Sequence, residues 1–177
     1  MKYINNGRLK RDQTIDYQIK AGWLAISRMY NAQAAKYDMT MAIGFVLLNI
    51  DFEKGTPATK IAPLMGMEPR SLTRMLKTLE EKGWIYRVGG AEDKRLVNIF
   101  LTEQGKYQRE IARKTVIDFN KQVFEAIPQD KVNVFFEVLQ QVNQIVENNT
   151  QEEKLNMKEI GANGEAGPTS KTTSKHS

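Results

Sequence analysis

Cysteine is missing from the chain, which removes disulfides, thiolate metal sites and thiol redox sensing together. Histidine occurs once, at His176 in the last few residues, so the part that can fold lacks both the usual general base and the usual thiol nucleophile. Neither a Walker-type phosphate loop nor a dinucleotide fingerprint is present, and Gly89-Gly90 reads only as a turn. The acidic residues are scattered along amphipathic segments, and none of them clusters at ion-binding spacing. An enzyme, a metal protein and a cofactor carrier are therefore all poorly matched. No apolar run reaches membrane-spanning length and no signal peptide opens the chain, so no membrane partner and a cytoplasmic location are expected. No internal repeat is visible.

What is present fits one soluble globular domain: 177 residues, of which 41% are hydrophobic and 27% charged. The net charge of +5 favours an anionic partner. Much of that charge is local, since residues 56–101 hold eight Lys or Arg against five Asp or Glu.

The periodicity predicts a mostly helical chain. Ile15, Ile19, Trp23, Ile26, Met29, Tyr30 and Tyr37 recur at helical spacing and predict a long amphipathic helix over about 13–37. Thr40 can cap a second helix, Met41 to Phe52, which is apolar almost all round and is expected at the buried centre. Thr56-Pro57 reads as an N-cap followed by a first-turn proline, opening a short helix with Ile61, Ala62, Leu64 and Met65. Gly66 then supplies a turn. Beyond residue 101, Thr102 can cap a helix running to about Ala126, and Pro128 marks a break before a last helix over about 128–149. That last helix carries Val132, Phe135, Phe136, Leu139, Val142 and Val146 on one arc, with Val134, Val138 and Ile145 widening it. So broad an apolar face points to a dimer interface, the alternative being burial within the protomer. From Thr150 to Ser177 apolar residues thin out and the tail is expected to be flexible, a nascent helical turn through Glu152 to Ile160 being the alternative for its first part, with four Lys against four Glu and no basic arm.

Residues 68–101 carry most of the functional information. At about 100° per residue, Leu72, Met75, Leu76 and Leu79 share one helical face, while Arg70, Thr73, Arg74 and Lys77 lie opposite with Ser71 beside them. Between Pro69 and Lys77 that polar face holds only cations and hydroxyls, the groups that bind phosphate and base edges. Pro69 suits a first helical turn, which puts Arg70, Ser71 and Thr73 at the tip that would enter a groove. Trp84 to Arg87 and Leu96 to Leu101 read as strands of a hairpin whose tip carries Asp93, Lys94 and Arg95. An arginine there can enter a narrow minor groove, and Asp93 is placed to orient it by ion pairing. Helix, turn, helix and hairpin in that order define a winged helix.

Taken together, Ser71-Leu72-Thr73-Arg74-Met75-Leu76, Leu79, Lys82-Gly83-Trp84, Arg87, Asp93-Lys94-Arg95, Leu101-Thr102 and Gly105 resemble the MarR family of bacterial transcription regulators over roughly residues 15–149. The resemblance implies a mainly α fold with a small β-hairpin wing: a DNA-binding core over about 40–101, dimerisation helices over about 13–37 and 102–149, and a tail over 150–177. It implies a homodimeric regulator, a repressor or an activator, that binds double-stranded DNA through a pseudo-palindromic operator. Arg70, Ser71, Thr73 and Arg74 then fall at the major groove, Lys77 at a phosphate, Arg95 with Lys94 in the wing, and Asp93 as the wing's supporting carboxylate. Thr56 and Thr59 could each touch a phosphate, although capping competes for Thr56. A small aromatic or lipophilic effector is also implied, with Trp23, Tyr30 and Phe45 as candidate lining residues unless they serve only as core. The competing class is a winged helix that binds protein or binds DNA without sequence preference. A protein-binding helix would expose apolar anchors, whereas this one exposes Arg, Ser and Thr.

Overall fold

The computed structural model describes residues 10–89 and 97–164. Its elements run α1 (Ile15–Ala34), α2 (Met41–Leu48), β1 (Thr56–Pro57), α3 (Ala58–Leu64), α4 (Pro69–Glu81), β2 (Ile85–Gly89), β3 (Val97–Leu101), α5 (Glu103–Ala126) and α6 (Gln129–Gly164). The chain divides into two compact units, one through Lys121 and one from Gln122.

In the first unit, α2 sits at the centre for the reason its composition gives. Val46 and Leu47, with Ile50 just beyond the helix, are completely buried and pack with Ile61, Leu72, Leu76, Leu79, Ile85 and Ile99. Thr40 caps α2 by accepting the Ile43 N–H at 3.2 Å. The helix stops at Leu48, earlier than Phe52, because Asp51 folds the following residues into a turn. Its carboxylate accepts the Glu53 and Lys54 N–H groups at 3.0 and 2.7 Å. Those bonds hold the Asp51 carboxyl below its usual range, and they leave Phe52 exposed. The first helix likewise ends at Ala34, followed by a single 3-10 turn over Ala35–Tyr37 and Asp38 in the left-handed region at φ 55°.

Thr56 does not cap α3, and Pro57 is not in its first turn but at the N-cap position, with no side-chain cap bond. They form the outer strand of a three-stranded antiparallel sheet ordered β1-β3-β2, with Thr56 opposite Ile99 and Pro57 opposite Asn98. The Thr56 hydroxyl is already engaged, accepting the Asp51 N–H at 2.8 Å. Thr-Pro satisfies a helix start and an edge strand equally well, and only the distant β3 decides between them. The strands β2 and β3 pair from Ile85 opposite Leu101 to Gly89 opposite Val97. Ile85, Ile99 and Leu101 face the core, while Tyr86 stacks on Phe100 on the outer face at 5.4 Å.

In the second unit α6 runs to Gly164, well beyond residue 149. Residues 150–164 hold three Glu and two Lys with single Gln, Leu, Met and Ala residues, which extend an existing helix readily because no new nucleus is needed. Low apolar content forbids burial, not helicity. The apolar residues of α6 are mostly uncovered: Val134, Phe135, Phe136, Val138, Ile145 and Val146 are all exposed, and among the described residues of the helix only Val132 is buried. No helix among the described residues is long and apolar enough to cross a membrane.

Candidate nucleic-acid interface

The recognition helix is α4, and its placement follows from its two faces. Leu72, Leu76 and Leu79 are buried against the core with Met75 beside them, which turns Arg70, Ser71, Thr73, Arg74 and Lys77 outward, all exposed. Pro69 stands in the first turn, where its missing N–H leaves nothing unsatisfied. The far end closes with a Schellman motif around Gly83 at φ 68°. The Gly83 N–H donates to the Glu80 carbonyl at 2.9 Å, and the Trp84 N–H donates to that of Leu79 at 2.9 Å.

The polar face is not uniform. Among the described residues neither Arg70 nor Arg74 has a carboxylate partner, so both guanidinium groups project as free cations. Lys77 has a partner in Glu81 at 3.7 Å, one turn on, with both side chains well exposed. The Thr73 hydroxyl donates to the Pro69 carbonyl at 2.9 Å, leaving it an acceptor toward anything outside. Glu80, at the end away from the tip, is drawn to Arg87 of β2 at 3.0 Å and so fastens the wing's first strand to α4. Sequence reasoning singled out Arg87 only as part of a motif. This tie could have been found from the charge pair, had the fold of the hairpin over the helix been known.

The short helix α3 precedes the recognition helix and braces it, with Ile61 and Ala62 buried and Lys60 and Thr59 exposed. Thr56 is half-buried in β1, so of the two threonines considered for phosphate contact only Thr59 is open. Asp93, Lys94 and Arg95 at the wing tip lie outside the described residues.

A second feature lies between α1, α2 and α5. A cleft of about 30 Å³ is bounded on one side by Tyr30 and Ala34 of α1, the turn residues Met39 and Thr40, and Gly44, Phe45 and Leu48 of α2. Ile111, Ala112, Thr115 and Val116 of α5 form the other side. Two of the aromatic residues proposed for an effector, Tyr30 and Phe45, line it and meet edge to face at 5.9 Å. Trp23 stands outside the lining, half exposed and stacked on Phe45 at 6.5 Å. Phe119 of α5 contacts Tyr30 at 5.7 Å. Burial raises the Tyr30 hydroxyl above its ordinary pKa.

A braced helix with a cationic outer face, followed by a two-stranded wing, defines a winged helix-turn-helix protein. A model of the MarR family matches residues 39–97, from the cleft rim through α4 to the start of β3. That match covers 59 of the 177 residues, the DNA-binding core. It is 28% identical over 122 residues to the HTH-type transcriptional regulator SarZ of Staphylococcus aureus, covering 67% of this chain and 81% of SarZ. It is 30% identical over 95 residues to the HTH-type transcriptional regulator TtmR of Methylorubrum extorquens, covering 54% of this chain; the match spans about half of TtmR, 49%. Among solved structures, a variant of MarR from E. coli complexed with operator DNA superposes with a TM-score of 0.65 at 26% identity, covering 72% of this chain and 92% of that one.

Proposed function

We propose that this chain is a sequence-specific DNA-binding transcriptional regulator, acting as a homodimer on a two-fold symmetric operator and released or retained by a small aromatic or lipophilic effector. The observation that carries the reading is the outer face of α4. From Arg70 to Lys77 it offers only cations and hydroxyls, with both arginines unpaired among the described residues, while its leucines are fully used by the core. Arg70 and Arg74 suit bidentate contact with guanine edges or phosphates, Ser71 and Thr73 suit either, and Lys77 suits a phosphate. Arg95 and Lys94, oriented by Asp93, would add a minor-groove or backbone contact from the wing. The MarR variant solved with its operator supports this use of the shared fold.

Dimerisation is supported by apolar side chains left uncovered on the terminal helices: Ile15, Ile19, Trp23 and Leu24 of α1, and Phe135, Phe136, Ile145 and Val146 of α6. A two-fold dimer reads two half-sites about one helical turn apart. The effector reading rests on the apolar cleft with its single phenolic donor. Its present volume is far below the roughly 300 Å³ that small-molecule sites occupy, so a ligand would enter by parting its walls. Regulation rather than catalysis, in the cytoplasm, is the role that fits the whole.

The test is affinity selection of fragmented source genomic DNA with the purified chain, followed by sequencing. Enrichment of a symmetric site is the expected result. Uniform recovery would replace specific regulation by non-specific DNA binding, and no recovery at moderate salt would move a protein partner to first place.

A further inference from the structure

The last turn of α4 is fastened on two sides, and each fastening leads to a different wall of the cleft. On one side Lys82, a mostly buried side chain, reaches across to Asp38 in the turn between α1 and α2. Its ammonium donates to the Asp38 carbonyl at 3.1 Å, pairs with the Asp38 carboxylate, and lies 4.9 Å from the centre of the Trp84 ring. The next residues, Met39, Thr40 and Met41, form the cleft rim.

On the other side Thr102, just before α5, donates its hydroxyl to the Gly83 carbonyl at 2.6 Å and its N–H to the Trp84 carbonyl at 3.0 Å. Gly105 lies so close to Trp84 that an added Cβ would fall 1.8 Å from the Trp84 carbonyl oxygen. Two turns further along the same helix, Ile111 and Ala112 make the opposite wall.

An isolated exposed ion pair contributes little. Lys82 is different because its three contacts converge on one partly buried ammonium. One of them holds the backbone of a residue in the left-handed region, a conformation a non-glycine keeps only where its surroundings impose it.

We propose that the Lys82 to Trp84 turn is a two-sided tether through which separation of the cleft walls moves the recognition helix. Asp38 and Lys82 are its positioning residues on the α1–α2 side, and Thr102 and Gly105 on the α5 side. This deepens the regulatory reading above and rests on it for the meaning of the motion, though the mechanical link stands apart from DNA. Packed elements shift as units, so a cleft forced open pulls at both ties, which α4 can relieve only by tilting or by losing one of them.

The experiment has two arms on the full chain. Hydrogen exchange by mass spectrometry compares the native protein with Lys82→Gln and with Asp38→Asn, which tolerates the left-handed backbone. Lys82→Gln is expected to speed exchange about tenfold across residues 39–43, at the far end of the tie, as well as in its own turn. Native exchange at 39–43 in both variants overturns the proposal.

In the second arm Ala112→Met wedges the cleft, or Ala34→Met on the facing wall if the first does not fold. Operator affinity of the wedged protein should change at least fivefold, and Lys82→Gln should abolish most of that response. An equal response with and without Lys82 overturns the tether. Exchange coupling in a protein that selects no operator would instead sink the DNA reading and leave the mechanical link in place.

Discussion

α4 and α6 are built from similar proportions of apolar and polar residues and do opposite things with them. In α4 the apolar side chains are consumed within the chain, Leu72, Leu76 and Leu79 being almost wholly buried, and what remains outside is cationic. In α6 the apolar residues are what remains outside: Phe135, Phe136, Ile145 and Val146 are all more than half exposed. One helix presents charge after meeting its hydrophobic needs, and the other presents unmet hydrophobic need. The first therefore suits a polyanion and the second an apolar surface, which in the proposed dimer a second copy of the same helices would supply. A regulator that reads two half-sites needs both kinds of surface on one chain.

Several substitutions would break or sharpen this contrast. The largest effect should come from Leu76→Ala in α4, which removes wholly internal contacts and should cost about 2–5 kcal/mol of unfolding free energy by denaturant titration. Phe135→Ala in α6, a larger truncation, should leave the unfolding of the monomeric state within about 0.5 kcal/mol and instead weaken self-association. Comparable unfolding losses for the two would mean that α6 is an ordinary core helix.

Next in size is Ile145→Glu, which would force a carboxylate into the proposed dimer seam. We expect the dimer constant, read by sedimentation, to rise about a hundredfold, at roughly 1.4 kcal/mol for each tenfold. An unchanged constant would remove α6 from the interface.

A smaller effect is expected from Arg95→Ala in the wing: a modest loss of operator affinity with the slope of log affinity against log salt reduced by about one. Unchanged affinity and slope would take the wing off the DNA. The smallest is Lys77→Ala. Its charge is shared with Glu81, and we expect about a twofold loss on operator and on unrelated DNA alike. A large loss confined to the operator would make Lys77 a base reader.

The contrast was largely legible in the sequence on the α4 side. Pro69, the leucine spacing and the run of cations before Glu80 define both faces without any knowledge of the fold, because a helix fixes its faces locally. Thr40 was legible for the same reason, as a cap whose partner lies within a few residues. What failed to show depended on distant partners. Thr56 became a strand residue only because Ile99 is opposite it. The Lys82 tie to Asp38 joins residues 44 apart in the chain and has no local signature. Residues 150–164 looked like a tail by composition, yet they prolong α6, since helix extension needs no buried face. Trp23, Tyr30 and Phe45 did come together, although only Tyr30 and Phe45 line the cleft.

The most direct test of the account is the affinity of the native protein and of Arg74→Ala for a selected operator and for a shuffled duplex of equal length, at matched salt. Arg74→Ala is expected to lower operator affinity by about 1–3 kcal/mol, to lose much less on the shuffled duplex, and to leave the dimer intact. An equal loss on both duplexes would contradict it, reducing the outer face of α4 to a patch that binds phosphate and reads no sequence.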